Sequence, residues 1–323
     1  MRSTYRIVAV FVAAMTALAL GGCGGQQPES SEMSGQEQPA ESSAVDTETP
    51  STSEGDGDAA AEPEAATVGS SLDAYSWAEL SEISNEIAAA PDQAVAIASK
   101  YGLCAADGSL YGAQEKSITL ADGTETAVQI IGFAHDTKSD GSVAGITFIF
   151  KNAIAEHPMN ATDTNEGGWE RSEMREYLDG QMTSLPSDLQ QVIVEVKKKT
   201  NNAGETDSIS AVTSTSDKLW LLSAIEVWGE DVEINFGSKV NPNHGYNMAK
   251  VFNEEGKQYQ LFEYMQNAPD YVRYDFYSKG GTKKWWLRSP YPVSDDDFKL
   301  GGSDDGNQAG ADGNFTVVPC FCI

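Results

Sequence analysis

The sequence predicts an α+β fold with a mainly antiparallel sheet and short helices, and three observations support this class. Apolar residues recur at helical spacing only over short stretches, the first from Trp77 to Ile87. Several short runs alternate apolar and polar residues as strands do, among them 117–120 and 126–133. Long polar loops separate these elements, and no Gly-rich phosphate-binding loop follows a predicted strand. The pattern is typical of antiparallel α+β proteins and not of doubly wound nucleotide-binding folds.

Two helices are predicted at the start of the folded part. Ser76 stands before the first periodic apolar residue, Trp77, and Glu79 follows three positions later, as in a capping box. Pro91 suits the first turn of a second helix that ends near Gly102. We therefore expect a small helical segment ahead of the main domain.

The main domain is predicted over 114–323, after a helical segment at 73–113, and begins with a hairpin. Asp122 and Gly123 lie between two alternating runs, which is a turn signal. The elements expected after it are a strand at 146–150, a polar loop at 160–169, a helix at 172–178, a helix beginning within 185–189, a strand at 192–196, an apolar run at 218–227, a helix at 259–265, and strands at 284–289, near 298–300 and at 315–323.

The charge of the chain excludes some classes of partner. The 323 residues hold 49 Asp and Glu against 21 Lys and Arg, a net charge of −28. Such a protein lacks the clustered cations that bind nucleic acid through its phosphates, so we expect no nucleic-acid partner. The three histidines, His135, His157 and His244, are scattered along the chain, which argues against a transition-metal site. No cofactor is expected.

The N-terminus has the pattern of a secretion signal. Arg2 and Arg6 precede an apolar run at 7–20, which is shorter than the roughly 20 residues that span a bilayer. The run ends in Leu20, Gly21, Gly22 and Cys23, a string that resembles the bacterial lipobox. The resemblance implies a lipoprotein signal peptide at 1–22 and a lipidated Cys23 that anchors the protein to the extracellular face of the cell membrane. The alternative is an ordinary signal peptide in which Cys23 is incidental.

Residues 23–72 are predicted to be a disordered acidic linker. Residues 26–72 contain eleven acidic residues and no Lys or Arg, and no aromatic residue lies between Phe11 and Tyr75. Such a segment cannot bury enough apolar area to offset the entropy lost on ordering. We interpret it as a stalk between membrane and domain; the alternative is an acidic binding tail.

Several strings in the main domain resemble a family of bacterial secreted domains of unknown function. These are GGWERSEMREYL at 167–178, KLWLLSAIE at 218–226 and WWLRSP at 285–290, with further likeness at 120–125, 131–136 and 318–323. The family is similar to the C-type-lectin-like fold, in the group that includes formylglycine-generating-enzyme-like domains. Some proteins of this fold are variable targets of diversity-generating retroelements. The resemblance therefore implies a fold more firmly than a function.

The polar loop at 291–313 is the predicted ligand-binding segment, together with the loop at 160–169. Loops held by a rigid scaffold commonly carry binding, and a Trp-rich strand and an apolar terminal strand flank this one. The ligand is expected to be a protein or a glycan. The residues predicted to contact it are Tyr291, Ser294, Asp295, Asp296, Asp297, Phe298, Asp304, Asp305, Asn307, Asp312 and Asn314.

Other interpretations of this segment stay open. Its aspartates offer calcium ligands, but Ala309 stands where an EF-hand needs an oxygen donor, and a solvated acidic loop fits as well. A diversity-generating retroelement would change this segment at the adenines of Asn codons. Lys299 and Gln308 are the two residues of the segment that such changes could not produce. An extracellular enzyme using Asp163 and Glu166 is the competing function, and a passive surface or assembly protein is the third. No catalytic residue is assigned, and the oligomeric state is not predicted.

The remaining predictions concern buried side chains. Cys320 and Cys322 lie on the same face of a strand with their Cα atoms about 6.5–7 Å apart, which is the outer limit for a disulfide. Two alternatives stay open: one of them forms a disulfide with Cys104, or all three are free thiols. Trp285 and Trp286 point to opposite faces of a strand, so one is expected in the core and the other half exposed. Arg288 is expected in a buried ion pair or a ligand contact, and Trp169 is expected to be a structural plug.

Overall fold

A computed structural model describes residues 71–110, 115–229, 248–266, 284–302 and 308–323. The described residues all lie within one compact unit, 61–323. The predicted signal peptide, the Cys23 anchor and the linker up to residue 70 lie outside them, as do Asp304, Asp305 and Asn307. Among the described helices, none combines the length and apolar character needed to cross a membrane.

The two N-terminal helices form as predicted. Helix α1 runs over Trp77–Ala89 and begins at a complete capping box, in which the backbone N–H of Glu79 donates to Ser76 Oγ and the backbone N–H of Ser76 donates to the Glu79 carboxylate. A 3₁₀ turn at Pro91–Gln93 leads into α2, Ala94–Lys100. The cap satisfies backbone donors that the first turn of a helix otherwise leaves without partners.

A four-stranded antiparallel sheet follows. It contains β1 (Glu115–Thr119), β2 (Glu125–Phe133), β3 (Ile146–Phe150) and the last strand, β11 (Cys320–Cys322), in the order β1-β2-β3-β11. The predicted hairpin and the predicted strand at 146–150 are confirmed. All residues of β3 are buried, because α1 covers the sheet through Trp77, whose ring contacts those of Phe148 and Phe321.

A second sheet has five strands and carries the predicted binding segment. Its members are β4 (Ala155–His157), β7 (Trp285–Pro290), β8 (Asp297–Gly301), β9 (Gln308–Gly310) and β10 (Phe315–Val317), in the order β4-β10-β7-β8-β9, and only the β10–β7 pair is parallel among the described pairs. The expectation of a half-exposed Trp in β7 is wrong. Both Trp285 and Trp286 are fully buried, because β7 lies inside the sheet and is covered on both faces.

The remaining strands, β5 (Val196–Asn201) and β6 (Val212–Asp217), form a two-stranded antiparallel sheet. The other described helices are α3 (Glu173–Gln181), α4 (Ser187–Val192), α5 (Ala224–Trp228), α6 (Met248–Glu254) and α7 (Gln260–Gln266). Many short strands and short helices confirm the predicted α+β class with mainly antiparallel pairing.

Two predicted strands are placed differently in the structure. The strand expected at 192–196 is displaced, because α4 continues to Val192 and β5 begins at Val196. The strand expected over 315–323 is divided into β10 and β11 at Val318 and Pro319. Proline has no N–H to donate to a ladder, and here the chain passes from the five-stranded sheet to the four-stranded sheet.

The possible disulfide is absent from the described residues. None of Cys104, Cys320 and Cys322 forms a disulfide bond with a described residue. Cys320 and Cys322 are fully buried in β11, where they pair in register with Ile149 and Thr147 of β3. The alternative of free thiols is the one that the structure supports.

Candidate functional site

A buried asparagine joins the two loops that the sequence predicts to bind a ligand. Asn165 is fully buried, and its backbone N–H donates to Asp295 O at 2.9 Å. Its side-chain amide donates to Ser294 O at 2.8 Å and to Asp297 O at 2.9 Å. The loop at 160–169 and the loop at 291–297 are therefore held as one structural unit.

A second set of hydrogen bonds joins the turn after β9 to the same unit. Asn160 N–H donates to Ala311 O at 3.0 Å, and Ala311 N–H donates to Asp296 O at 2.9 Å. The Asp163 carboxylate lies so close to Gly310 that a Cβ added there would overlap it. Three segments distant in sequence thus meet at one edge of the five-stranded sheet, which we call the loop surface: residues 160–166, 291–297 and 308–314.

All the exposed charged side chains of the loop surface are acidic. Asp163, Glu166, Asp295, Asp312 and Asn314 are exposed. Partial burial, with the neighbouring Asp296 and Asp163, raises the pKa of Asp297 above its usual value. The surface therefore presents clustered negative charge on a scaffold fixed by backbone hydrogen bonds.

The other predicted contact residues differ in their availability. Tyr291, Ser294, Asp296 and Asp297 are half-buried at the base of the loop. Phe298 is fully buried, with its ring 6.5 Å from that of Trp286 at an interplanar angle of 82°, so it belongs to the core and is not accessible to a ligand in this structure.

Asp163 and Glu166, the predicted carboxylates of the enzyme alternative, are exposed on the loop surface and do not line the cleft described below. Trp169 is fully buried, and its indole N–H donates to Asp217 at 3.2 Å, which agrees with a structural plug.

A buried ionic network, which the sequence reasoning mostly missed, shares no residue with the loop surface. Lys198 Nζ is 2.7 Å from both Asp136 Oδ1 and Glu226 Oε1. Arg288 forms a bidentate pair with Glu226, at 2.5 Å and 3.0 Å. All four side chains are at most 3% exposed. Arg288 thus forms the ion pair that was one of its two predicted roles.

The charges of this network hold one another in their ionised forms. Burial would raise the pKa of Asp136, but Lys198 and His135 outweigh it and hold that pKa well below its usual value. Burial would also raise the pKa of Glu226, but Arg288 and Lys198 lower it. For Lys198 burial favours the neutral amine, yet Asp136 and Glu226 raise its pKa. The network is therefore a set of charges compensated inside the protein.

Glu255 extends the network and differs from the other carboxylates. It is buried, and it accepts hydrogen bonds from Asn201 N–H at 3.0 Å and from Ser289 Oγ. It has no ion-pair contact among the described residues, and burial raises its pKa to about 7. Glu255 is thus a buried carboxyl group that is partly protonated near neutral pH.

Two of the strings that carry the family resemblance contact each other through these groups. Arg288 is the only charged residue of the string at 285–290, and Glu226 is the only charged residue of the apolar run at 219–226. A single charge in an apolar run is the signal that could have predicted the pair. Arg175, in the string at 167–178, donates to Asp217 at 2.6 Å, just before the second string.

A family model matches more than half of the chain. Residues 144–323 match the family described as Domain of unknown function (DUF6273), which is 180 of the 323 residues. The chain belongs to the DUF6273 family. No curated protein and no solved structure showed a significant match.

The DUF6273 match does not cover the whole network. Lys198, Glu226, Glu255 and Arg288 lie within the matched residues, whereas Asp136 lies upstream of them. Helix α1 also lies upstream, and Ser84 of this helix donates to Ile323 O, the carbonyl of the last residue. In this chain the DUF6273 region therefore shares its core and its ionic network with the residues that precede it.

Proposed function

We propose that this DUF6273 protein is a lipid-anchored extracellular binding protein whose loop surface recognises a protein or glycan ligand. The observation that carries the proposal is the buried Asn165, which fixes two separate polar loops against each other. A surface fixed before binding loses little conformational entropy when it binds, so its contacts convert into affinity efficiently.

The charge of the loop surface favours a partner with basic groups. Asp163, Asp295 and Asp312 are exposed, and Asp296 and Asp297 lie beside them. Complementary charge speeds association and helps to exclude wrong partners. Among the two ligand classes, a protein with a basic surface therefore fits better than a neutral glycan.

The same proposal includes a C-type-lectin-like fold and diversification of the loop at 291–313 by a retroelement. Lys299 and Gln308, the two residues that an Asn codon could not yield, are register partners in β8 and β9. Lys299 Nζ donates to Gln308 Oε1 at 3.2 Å. A structural role for this pair is consistent with invariant positions inside a diversified segment. Sequencing of the neighbouring DNA tests it: absence of a template repeat and of a reverse transcriptase would exclude diversification.

The binding proposal is tested by screening the full-length chain against an array of surface proteins and glycans. We compare the wild type with the Asp295→Asn, Asp312→Asn double variant. Asp92→Asn with Glu125→Gln is the matched control, since both residues are exposed outside the loop surface. We expect the loop variant to lose about tenfold or more in affinity for an array ligand, and the control to bind as the wild type does. Absence of any ligand, or equal binding by the loop variant, would contradict the proposal.

A further inference from the structure

A cleft that plays no part in the proposed loop surface lies directly above the buried ionic network. Its volume is about 530 Å³, within the range of about 300–1,000 Å³ that is usual for small-molecule sites. Its walls come from the residues after β2, from β5 and β6, and from the turn after α6. The network residues Asp136, Lys198, Glu226 and Glu255 line its floor.

The backbone at one wall of the cleft is strained. Ala134 has φ of 50°, and it is the one non-glycine residue with positive φ in the described part of the chain. Such a conformation costs of order 1–3 kcal/mol and is found preferentially at functional sites. It directs the next two residues, His135 and Asp136, toward the cleft that both of them line.

His135 has unmet hydrogen-bonding capacity at this wall. Its ring stacks on that of Tyr259 with centroids 3.9 Å apart. Neither ring nitrogen has a hydrogen-bond partner among the described residues. The nearest ionic group is the Asp136 carboxylate, at 3.8 Å from Nδ1, which is beyond hydrogen-bond distance. Both ring nitrogens are themselves buried, so the hydrogen-bonding capacity of the imidazole is unmet within the wall of the cleft.

Exposed lysines surround the opening. Lys197, Lys199 and Lys257 line the cleft and are exposed, and none of their amines forms an ion pair or hydrogen bond with a described residue. Glu254 is the one exposed carboxylate that lines it, in a protein whose net charge is −28. Lys198 and Arg288 compensate Asp136 and Glu226 below the cleft, and Lys197 lies near Asp140, so Lys199 and Lys257 are the cations best placed to attract an anion.

The other groups at the cleft are neutral and polar. Thr137 and Ser214 offer hydroxyl groups, and Asn253 offers an amide. Ser214 lies opposite Lys199 in the β5–β6 register, so the two side chains share one face of the sheet. Hydroxyls and an amide among lysines are suited to a ligand that carries both hydroxyl groups and a negative charge.

We propose that this cleft binds a small hydroxylated molecule bearing an oxyanion group, a phosphate or a carboxylate. Lys199 and Lys257 contact the oxyanion, and Thr137, Ser214 and Asn253 bond the hydroxyl groups. The site is separate from the loop surface, because the residues that line the two do not overlap.

Calorimetric titration of the full-length chain tests the proposal. The probes are glucose 6-phosphate, glucuronate, inorganic phosphate and, as the neutral counterpart, glucose. We expect at least one of the two sugar anions to bind, glucose to bind much more weakly, and affinity to fall as salt is added. Preference for either sugar anion identifies the charged group, and equal binding of inorganic phosphate would contradict the hydroxyl contacts assigned to Thr137, Ser214 and Asn253. No binding of any anion, or equal binding of glucose, would overturn the proposal.

Matched variants separate the cleft from general charge effects. Lys199→Gln with Lys257→Gln removes two cleft cations, whereas Lys218→Gln with Lys250→Gln removes two exposed cations that do not line this cleft. We expect the first pair to weaken binding about tenfold or more, since a charge-assisted hydrogen bond contributes more than one order of magnitude, and the second pair to leave it unchanged. All four side chains are exposed, so unchanged thermal unfolding confirms the fold. Equal affinities of the two variants would refute the assignment.

Discussion

At the scale of single residues, the network around Glu226 is the clearest case of a group that depends on its neighbours. Glu226 is 1% exposed and accepts from Arg288 and Lys198 together. Two buried cations and two buried carboxylates compensate one another, so removing any one leaves a charge that water cannot reach. Removing one member of such a network lowers the free energy of unfolding strongly, whereas the complete network contributes less to it.

Arg288→Met is expected to lower the free energy of unfolding by about 3–5 kcal/mol, because Glu226 loses its bidentate partner while it stays buried. Arg175→Met is the comparison, since Arg175 is 32% exposed and its partner Asp217 keeps hydrogen bonds from Trp169 and Thr215. Urea unfolding measures both, and we expect a clearly smaller loss for Arg175→Met. Similar losses would show that the Arg288 pair is no more critical than a partly exposed one.

Glu255 predicts a pH dependence of stability. Its pKa is about 7 in the folded protein, above the usual 4.5, so between these values the folded state holds a proton that the unfolded state has released. The stability due to this group is therefore complete below about pH 4.5 and is lost as pH rises to about 7, by up to about 3 kcal/mol. The carboxylates Asp136 and Glu226 have lowered pKa values and add no slope in this window.

Glu255→Gln removes the titrating group while it keeps an acceptor for Asn201 N–H. Urea unfolding of both proteins between about pH 5 and pH 8 should show stability that falls with pH in the wild type and falls less in the variant. Equal slopes would mean that Glu255 does not titrate in this range.

At the scale of single elements, local signals account for most of what forms. The capping box of α1, the Asp122–Gly123 turn and the alternation in β2 are all readable in the sequence and present in the structure. Elements with weaker local signals were missed or displaced. The strand β6, Val212–Asp217, consists mostly of Ser, Thr and Val, and it forms because each residue pairs with β5.

The capping box gives an element-scale prediction. Ser76→Ala removes the acceptor for Glu79 N–H and is expected to lower the free energy of unfolding by about 1 kcal/mol. Ser81→Ala, inside the same helix, is the control, and its higher helix propensity should make it neutral or slightly stabilising. Thermal unfolding monitored by circular dichroism distinguishes them. An unchanged melting temperature for Ser76→Ala would show that α1 is held by packing alone.

At the scale of the whole molecule, close contacts bind the helical segment to the sheets. Gly145 approaches α1 so closely that an added Cβ would overlap the carbonyl of Ser84. Ser84 Oγ also accepts from Ile146 N–H at 3.1 Å and donates to Ile323 O. One serine thus links α1, β3 and the C-terminal residue, which explains how the segment before the DUF6273 match belongs to the same core.

Gly145→Ala is expected to destabilise the protein by several kcal/mol, since the new methyl group would separate α1 from β3 against rigid backbone. Gly180→Ala is the matched control: Gly180 lies in α3, an added Cβ there meets nothing within 4 Å, and alanine favours the helix by roughly 0.5–1 kcal/mol. Chemical unfolding of the two variants should therefore give changes of opposite sign. A mild effect of Gly145→Ala would mean that α1 can shift without loss of the core.

The two candidate sites, the loop surface and the cleft, differ in how far the sequence could predict them. The loop surface was predictable, because polar loops between strong strand signals are local features of composition. That the loops form one structural unit was not predictable. Nothing in the sequence near Asn165 indicates that the Asn165 amide donates to carbonyls about 130 positions later. The cleft was harder still, because Thr137, Lys199 and Lys257, which line it, lie far apart in the sequence.

Periodicity and capping residues alone establish the helices, most of the strands and the α+β class, because these depend on neighbours within a few positions. Tertiary structure decides the pairing of charges, the burial of both tryptophans of β7 and the convergence of loops. The physical reason is that burial depends on what covers an element. Lys198, between Lys197 and Lys199, looks exposed in sequence, and only the elements that enclose it place it in the interior ion pairs of this DUF6273 protein.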